Sequence, residues 1–332
     1  MNWIGPELAR TFASAGTDAY RIADGEGCRL ERFGDGAILS YWADEPPPGI
    51  AGALTDWCER TGVVIRRIYG RRLVTAPASN DAPQVIAGTV SNHAGVAHEE
   101  GLAYAIDFMA GSSCGLFIDQ RANRSRVRAS CSGVLLNLFS YTCSFSVVAA
   151  MAGARTVSID QSKAALERGR RNFALNHLST NGHRFIVDDA LDVLPRLARR
   201  GEKFAWIILD PPTFSRGRGG RVLRVEKDFG HLIEMVCACA AAGAMILLST
   251  NCLSLDPSTL RDLGRRHVSN RVTFFESPQL PDVPAGHGAS TIWMQVSDRA
   301  AAERATGASA RQAQGSSAFR SSRSQPKPYR RG

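Results

Sequence analysis

From about residue 130 onward, short and almost wholly apolar runs alternate with segments of helical periodicity. The runs cover residues 134–138, 155–159, 184–187, 204–209, 244–249, 271–275 and 291–296. In one intervening segment the apolar residues recur at helical spacing, at Phe229, Leu232, Ile233, Val236, Cys237 and Ala240. Strands buried on both faces lose their polar alternation, and helices between them supply the covering layers. The pattern therefore predicts an α/β fold with a seven-stranded, mostly parallel sheet.

The residues before this region follow a different rhythm. Strand-like runs separated by Gly, Pro and Asp, with one helical stretch over Gly49–Arg60, predict a smaller α+β domain over residues 26–108. Residues 1–25 are predicted to form a short helical lead-in, and Ala76–Pro83 an exposed loop. The larger domain is predicted over residues 109–298, followed by a basic disordered tail over residues 299–332.

Most of the positive charge lies in that tail. The net charge is +9, and residues 299–332 hold eight Lys or Arg and one Glu, which is +7 of the total. Such a segment does not fold alone; it can hold a polyanion such as RNA, or it can serve only to raise solubility. The composition, 44% hydrophobic and 21% charged with no long apolar run, predicts a globular protein outside the membrane.

Cysteine and histidine spacing argues against a metal site. None of the eight cysteines forms a C-x-x-C pair, so no such pair is available to combine with histidines in a zinc site. We therefore expect no bound metal. The N-terminus has no signal-peptide pattern, so a cytoplasmic protein with reduced thiols is predicted.

Acidic residues follow several of the predicted strands, at the sheet edge where α/β folds bind ligands. Asp160 ends the second strand, 23 positions after Asn137, a spacing suited to an acid that binds the ribose of a nucleoside cofactor. Asp189 follows the third strand and could accept the adenine amino group. Each of the two could instead only cap the following helix.

The loop after the first strand, Phe139–Ser144, contains no glycine. Without glycine, a pyrophosphate could not approach the backbone closely, which argues against NAD or FAD. A cofactor with adenosine but no diphosphate is favoured, and S-adenosylmethionine fits that description.

After the fourth strand comes Asp210-Pro211-Pro212-Thr213-Phe214. Two prolines directly after a strand forbid ladder bonding and fix a rigid extended loop, which can hold a planar base against an aromatic ring. The alternative is a simple turn, but the position, with Asp160 and Asp189 upstream, favours a binding loop.

Three segments in order, GLFIDQRANR, VLLNLFSYTCSFSVVAAMAGARTVSIDQSKAALERGRRNFALNHL and ILDPPTFSRG, resemble one enzyme family. They are similar to class I S-adenosylmethionine-dependent methyltransferases with a Rossmann-like catalytic domain, specifically the 23S rRNA cytosine-C5 enzymes and their guanine-N7 relatives. The resemblance runs from roughly Leu30 to Val296 and is densest over Gly115–Cys252.

The resemblance implies a set of cofactor contacts. The loop would wrap the methionine part, Asp160 the ribose and Asp189 the adenine, while Asp210 would face the transferred methyl and the base. The implied cofactor residues are Phe139, Ser140, Tyr141, Thr142, Asp160, Gln161, Asp189, Ala190, Asp210, Gln120 and Arg121. Two positions depart from the family pattern: Cys143 and Ser144 stand where many members have glycine, and Asn137 where an acid is common.

Cysteine 252 matches the position of the cysteine that follows the fifth strand in the cytosine-C5 enzymes. Carbon 5 of cytosine is a poor nucleophile until a thiolate adds to carbon 6, so the resemblance implies covalent catalysis by Cys252 with Asp210 at the cytosine edge. The alternative is a buried structural thiol, as expected for the other cysteines.

The substrate side is predicted to include Pro211, Pro212, Phe214, Arg216 and Arg218. The arginines alternate with glycines beyond the double proline, which suits phosphate contacts, although a solvated loop would have the same composition. Tyr141 and Phe214 could stack on a base.

The sequence leaves three alternatives to cytosine-C5 methylation of ribosomal RNA. Asn251 and Thr213–Ser215 are more typical of the guanine-N7 relatives, which need no cysteine nucleophile. The glycine-free loop would also fit an RNA-binding protein with a degenerate cofactor pocket, and a small-molecule methyltransferase is the third.

Overall fold

A computed structural model describes residues 1–73, 83–88, 90, 92–111, 113–217, 220–268 and 272–297. Most of the loop predicted over Ala76–Pro83 lies outside the described residues, and so do Arg218 and the predicted tail.

The N-terminal part is a six-stranded sheet with two helices. Its elements are β1 (Asn2–Trp3), α1 (Pro6–Ser14), β2 (Ala19–Gly25), β3 (Cys28–Phe33), β4 (Gly36–Tyr41), α2 (Ile50–Thr61), β5 (Arg67–Arg72) and β6 (Gln84–Gly88). The strands follow one another in chain order, and only β4 and β5, joined by α2, pair in parallel. The lead-in predicted over residues 1–25 differs in one respect: only α1 is helical, and β2 pairs along its length with β3, so these residues belong to the same sheet.

A hairpin and a helix connect this sheet to the second one. They are β7 (Ala94–Glu99), β8 (Leu102–Asp107), a 3-10 turn (Ile118–Gln120) and α3 (Arg121–Ser130). Arg124 on α3 is fully buried, and its Nε and Nη2 each donate to a Glu99 carboxylate oxygen at 2.6 Å. This bidentate pair joins the connecting helix to the hairpin, and neither charge has access to water.

The second part is a doubly covered α/β sheet. Its elements are β9 (Val134–Leu138), α4 (Ser144–Met151), β10 (Arg155–Asp160), α5 (Lys163–Leu175), β11 (Arg184–Val187), α6 (Ala190–Arg199), β12 (Phe204–Leu209), β13 (Phe214–Arg216), β14 (Val222–Arg224), α7 (Val225–Ala238), β15 (Ala240–Thr250), α8 (Pro257–His267), β16 (Val272–Glu276) and β17 (Ser290–Val296). The sheet order is β11-β10-β9-β12-β15-β17-β16. Strand β17 pairs antiparallel with both β15 and β16, so it alone runs opposite to the other six strands. The predicted seven-stranded, mostly parallel sheet is confirmed.

Both faces of this sheet are packed with apolar side chains. Along β12, Ile207 and Leu209 enter one core with helices α6 and α7. Trp206 and Ile208 enter a second core that continues into Tyr69 of the N-terminal sheet. Successive strand residues point to opposite faces, so a strand covered on both sides must be apolar throughout, as the sequence indicated.

Within the described residues, no helix combines the length and apolarity needed to cross a membrane.

The buried Arg124–Glu99 pair gives a stability prediction. Glu99→Gln leaves the guanidinium of Arg124 without a counter-charge, so we expect the free energy of unfolding to fall by about 3 kcal/mol or more. Glu100→Gln is the matched control, since the Glu100 side chain is 37% exposed and lies 4.0 Å from the partly exposed Arg128; its change should stay within about 0.5 kcal/mol. Equal losses in urea unfolding of the two variants would contradict this assignment.

Candidate functional site

Four parallel strands of the second sheet end at the same level. Leu138 on β9 is paired with Ile159 on β10 and with Leu209 on β12, and Leu209 is paired with Leu248 on β15. The residues that follow these strands therefore emerge along one edge of the sheet, where α/β folds bind ligands.

The loop after β9 has an unusual backbone for a segment without glycine. Phe139, Tyr141 and Cys143 have φ values of 53°, 46° and 60°, all in the left-handed region. A side chain in this region costs about 1 kcal/mol or more, so the surrounding structure must impose it. The loop thus takes the conformation that glycine would allow most easily.

Hydrogen bonds impose this conformation. The Tyr141 amide donates to Asp160 Oδ2 at 2.8 Å, the Tyr141 hydroxyl to the Ser113 carbonyl at 2.8 Å and Thr142 Oγ1 to the Gly115 carbonyl at 2.6 Å. The loop is therefore anchored both to β10 and to the segment that precedes α3.

Asp160 holds the loop without capping a helix. Its Oδ1 accepts from the Ser162 amide at 2.8 Å, while Ser162 itself caps α5 by accepting from Ala165. Burial raises the pKa of the Asp160 carboxyl, and the two amide hydrogen bonds oppose that rise. A carboxylate has about four acceptor positions, so after these two bonds it can still accept ribose hydroxyls.

Asp189 is both a helix cap and a cavity wall. Its Oδ1 accepts from the Leu191 amide at 2.9 Å at the start of α6. It also lines a cavity of about 250 Å³, whose walls are Gln161, Val187, Asp188, Asp189, Arg216 and Gly217. A Cβ at Gly217 would come within 2.2 Å of Asp189 Oδ2. Only glycine lets the backbone lie this close to Asp189. The Asp188 and Asp189 carboxylates in the cavity wall are acceptors that the donors of an adenosine group could use.

The double-proline segment leads into the hairpin β13–β14. Pro211 is buried and Pro212 exposed, and the Phe214 ring is 44% exposed with the Arg216 guanidinium 5.9 Å from its centre. Arg216 lines the Asp189 cavity and does not line the cavities around Cys252. The hairpin therefore borders the Asp189 cavity, and of the two predicted phosphate contacts only Arg216 lies within the described residues.

Asp210, directly after β12, contacts Ser249 near the end of β15, and Ser249 in turn contacts Gln120 just before α3. Its Oδ1 accepts from Ser249 Oγ at 2.6 Å, and Gln120 Nε2 donates to the same Ser249 Oγ at 2.7 Å. Burial, supported by the nearby Asp119 carboxylate, raises the pKa of Asp210 to about 6, although the Ser249 hydrogen bond and Arg124 lower it. A carboxyl with such a pKa can exchange a proton near neutral pH.

Cys252 follows β15 by two residues and is nearly buried. Its Sγ lies 3.2 Å from Ser254 Oγ, and its amide donates to Thr250 Oγ1 at 3.1 Å. It lines a cavity of about 390 Å³ together with Asn251 and Leu253. Among the hydrogen bonds of the described residues, none joins Cys252 to Asp210.

Arg121 does not lie with these groups. Its guanidinium forms an ion pair with Asp282, donates to the Ala19 carbonyl at 3.1 Å and packs 4.7 Å from the Phe12 ring centre. The resemblance implied that Arg121 and Gln120 both contact the cofactor. The two residues are consecutive where α3 begins, and neighbouring side chains on a helix point in different directions. Conversely, Ser249 was not among the predicted site residues; its position near the carboxyl end of the buried strand β15 was the available signal.

No cluster of three or more His, Cys, Asp or Glu side chains within the described part of the chain is arranged to hold a metal ion.

Comparison with known proteins identifies relatives that match most of this chain. A family model described as S-adenosylmethionine-dependent methyltransferase matches residues 62–294. Ribosomal RNA large subunit methyltransferase I of Salmonella arizonae is 32% identical over 263 residues, covering 74% of this chain and 62% of its own length. The Escherichia coli K12 protein of the same name is 31% identical over 263 residues, with coverage of 74% and 63%. This chain thus spans about three fifths of the length of these two relatives.

Solved structures share the fold at lower identity. A candidate methyltransferase complexed with SAH has a TM-score of 0.75 at 24% identity, covering 87% of this chain and 78% of that one. A SAM-dependent methyltransferase from Agrobacterium tumefaciens has a TM-score of 0.67 at 21% identity, with coverage of 85% and 91%.

The contact between Gly217 and Asp189 gives a binding prediction. Gly217→Ala adds a Cβ that must displace Asp189 or the hairpin, so we expect at least a tenfold loss of affinity for S-adenosylmethionine, measured by calorimetry. Gly52→Ala is the control, because an added Cβ there meets nothing within 4 Å. Unchanged affinity in a folded Gly217→Ala protein would show that Asp189 does not bound the adenosine site.

Proposed function

Because the chain belongs to the S-adenosylmethionine-dependent methyltransferase family, we propose that it methylates carbon 5 of a cytidine in large-subunit ribosomal RNA. The relatives named as large subunit methyltransferases support the substrate class, since each is over 30% identical to this chain. The observation that carries the reaction type is the position of Cys252 just beyond β15, two residues after the strand whose Ser249 contacts Asp210.

S-adenosylmethionine supplies a methyl group activated by a sulfonium. We propose that Asp160 accepts hydrogen bonds from its ribose hydroxyls, that Asp189 with Gln161 and Ala190 binds its adenine, and that Phe139–Thr142 surrounds its methionine part. Support comes from the spare acceptor positions of Asp160 and from the cavity bounded by Asp189 and Gly217. The left-handed loop also answers the objection that a glycine-free segment would give a degenerate pocket.

A cleft between the two sheets is the proposed entrance for RNA. It has a volume of about 570 Å³ and is lined by Trp42, Phe117 and Leu253, whose side chains are 55%, 42% and 97% exposed. Large apolar side chains that stay in water mark a binding surface, and aromatic rings stack on unpaired bases. Asn251 and Leu253 line both this cleft and the cavity that contains Cys252, so a base could pass from the cleft toward the thiol.

In the proposed reaction the Cys252 thiolate adds to carbon 6 of cytosine, and the displaced ring electrons make carbon 5 nucleophilic. Carbon 5 takes the methyl group, and the sulfonium becomes a neutral thioether. A base then removes the proton from carbon 5; the electrons of that bond restore the 5,6 double bond and the thiolate leaves. Asp210 would hold the cytosine edge during these steps, and Pro211, Pro212 and Phe214 would border the base.

Methylation of guanine N7 is the second candidate, favoured by Asn251. This side chain lines both the 570 Å³ cleft and the cavity at Cys252, where its amide could bind a purine edge. Guanine N7 carries its own lone pair, so this reaction needs no thiolate.

All eight cysteines are free, which fits a reducing compartment, and we propose that the protein acts in the cytoplasm.

A trapping experiment distinguishes the two reactions. Wild-type protein should form a covalent adduct with large-subunit RNA that contains 5-fluorocytidine, because fluorine on carbon 5 prevents release of the thiol. Cys252→Ala should form no adduct and lose at least a thousandfold in methylation rate while still binding S-adenosylmethionine. Cys239→Ala removes another buried cysteine and should behave as wild type. Normal methylation by Cys252→Ala would exclude the cytosine-C5 reaction.

A further inference from the structure

A line of buried hydrogen bonds runs through the interior and ends on Asp210. The Trp293 indole donates to Asn123 Oδ1 at 2.8 Å, and Asn123 Nδ2 donates to Gln120 Oε1 at 2.9 Å. Gln120 Nε2 donates to Ser249 Oγ at 2.7 Å, and Ser249 Oγ donates to Asp210 Oδ1 at 2.6 Å. The first four residues are each at most 2% exposed, so water does not compete for these bonds.

The direction of every bond in this line is fixed by its first member. An indole N–H can only donate, so Asn123 must present its oxygen to Trp293 and its NH2 group to Gln120. Gln120 must then present its oxygen to Asn123 and its NH2 group to Ser249. The Ser249 hydroxyl oxygen accepts a hydrogen bond from Gln120 Nε2, and its own O–H donates to Asp210 Oδ1.

We propose that Gln120 and Ser249 are positioning residues that set which oxygen of Asp210 acts on the substrate. Because Oδ1 accepts the hydrogen bond from the Ser249 hydroxyl, Oδ2 is left as the atom that accepts from, or donates to, the target base. Gln120 Nε2 approaches Oδ2 only at 3.5 Å, a distance too long for a strong bond. The role in methylation rests on the proposed function, in which Asp210 meets the base.

The same line sets the proton affinity of Asp210. Hydrogen bonds donated to a carboxylate stabilise its charged form, so the Ser249 bond works against the burial that raises the pKa of Asp210 to about 6. The other charged groups that act on it are the Asp119 carboxylate, which raises the pKa, and the Arg124 guanidinium, which lowers it. Removing the Ser249 hydroxyl should therefore raise the pKa further.

Infrared difference titration of the full, cofactor-free chain tests this directly. The protonated-carboxyl band that is lost in Asp210→Asn reports the protonation of Asp210 against pH. In Ser249→Ala its midpoint should rise by about one pH unit, the size expected for one hydrogen bond to a charged acceptor. In Gln120→Met it should rise by less, because a hydroxyl that no longer accepts a hydrogen bond is a weaker donor.

Ser277→Ala is the matched control. Ser277 also donates to Asn123 Oδ1, at 2.7 Å, but Trp293 still fixes the orientation of Asn123 when Ser277 is gone. Its midpoint should equal that of the wild type. An unshifted Ser249→Ala, an unshifted Gln120→Met, or a Ser277→Ala shift as large as that of Ser249→Ala would each overturn the proposal.

The acid limb of the pH–rate profile for RNA methylation should move with the infrared midpoint. If no RNA is methylated but the infrared series holds, the proposed function fails and the orientation of Asp210 stands. If RNA is methylated but Ser249→Ala has the same infrared midpoint as the wild type, the positioning role is wrong and the proposed function is unaffected.

Discussion

The parallel register of β9, β10, β12 and β15 is the constraint on which the site depends. It brings residues from four distant parts of the sequence to one edge, because paired residues such as Leu138, Ile159 and Leu209 end their strands at the same height. The contacts across that edge join distant residues, since Tyr141 and Asp160 are 19 positions apart and Asp210 and Ser249 are 39 positions apart. The apolar layers on both sheet faces keep the strands in this register.

A buried carboxylate, Asp282, links the N-terminal sheet to the second sheet. Arg21 on β2 contacts Glu31 at 3.0 Å and Asp24 at 2.7 Å, and its amide donates to Asp282, which also pairs with Arg121 on α3. Asp282 lies in the segment between β16 and β17, so one carboxylate links the two sheets. The cleft proposed for RNA thus has walls held by charges that are costly to separate.

The sequence predicted regular elements better than contacts. The strands 134–138, 184–187 and 204–209 were placed at their observed bounds. Two of them, 134–138 and 204–209, are buried strands that leave an almost continuous apolar run. The hairpin β13–β14 and helix α8 were missed, since short or polar-faced elements carry weak periodicity. The line from Trp293 to Asp210 could not be predicted at all. Its members lie up to 170 positions apart, and only the folded sheet brings them together.

The left-handed residues of the Phe139–Thr142 loop also bear on the thermodynamics of ligand capture. A glycine-rich loop explores many conformations when empty and loses that freedom when a ligand orders it. Here bulky side chains at Phe139 and Tyr141 restrict the backbone before any ligand arrives, and anchors to Asp160 and Ser113 hold it. The entropy of ordering this loop is therefore lost during folding, so ligand association should involve little further loss at this segment.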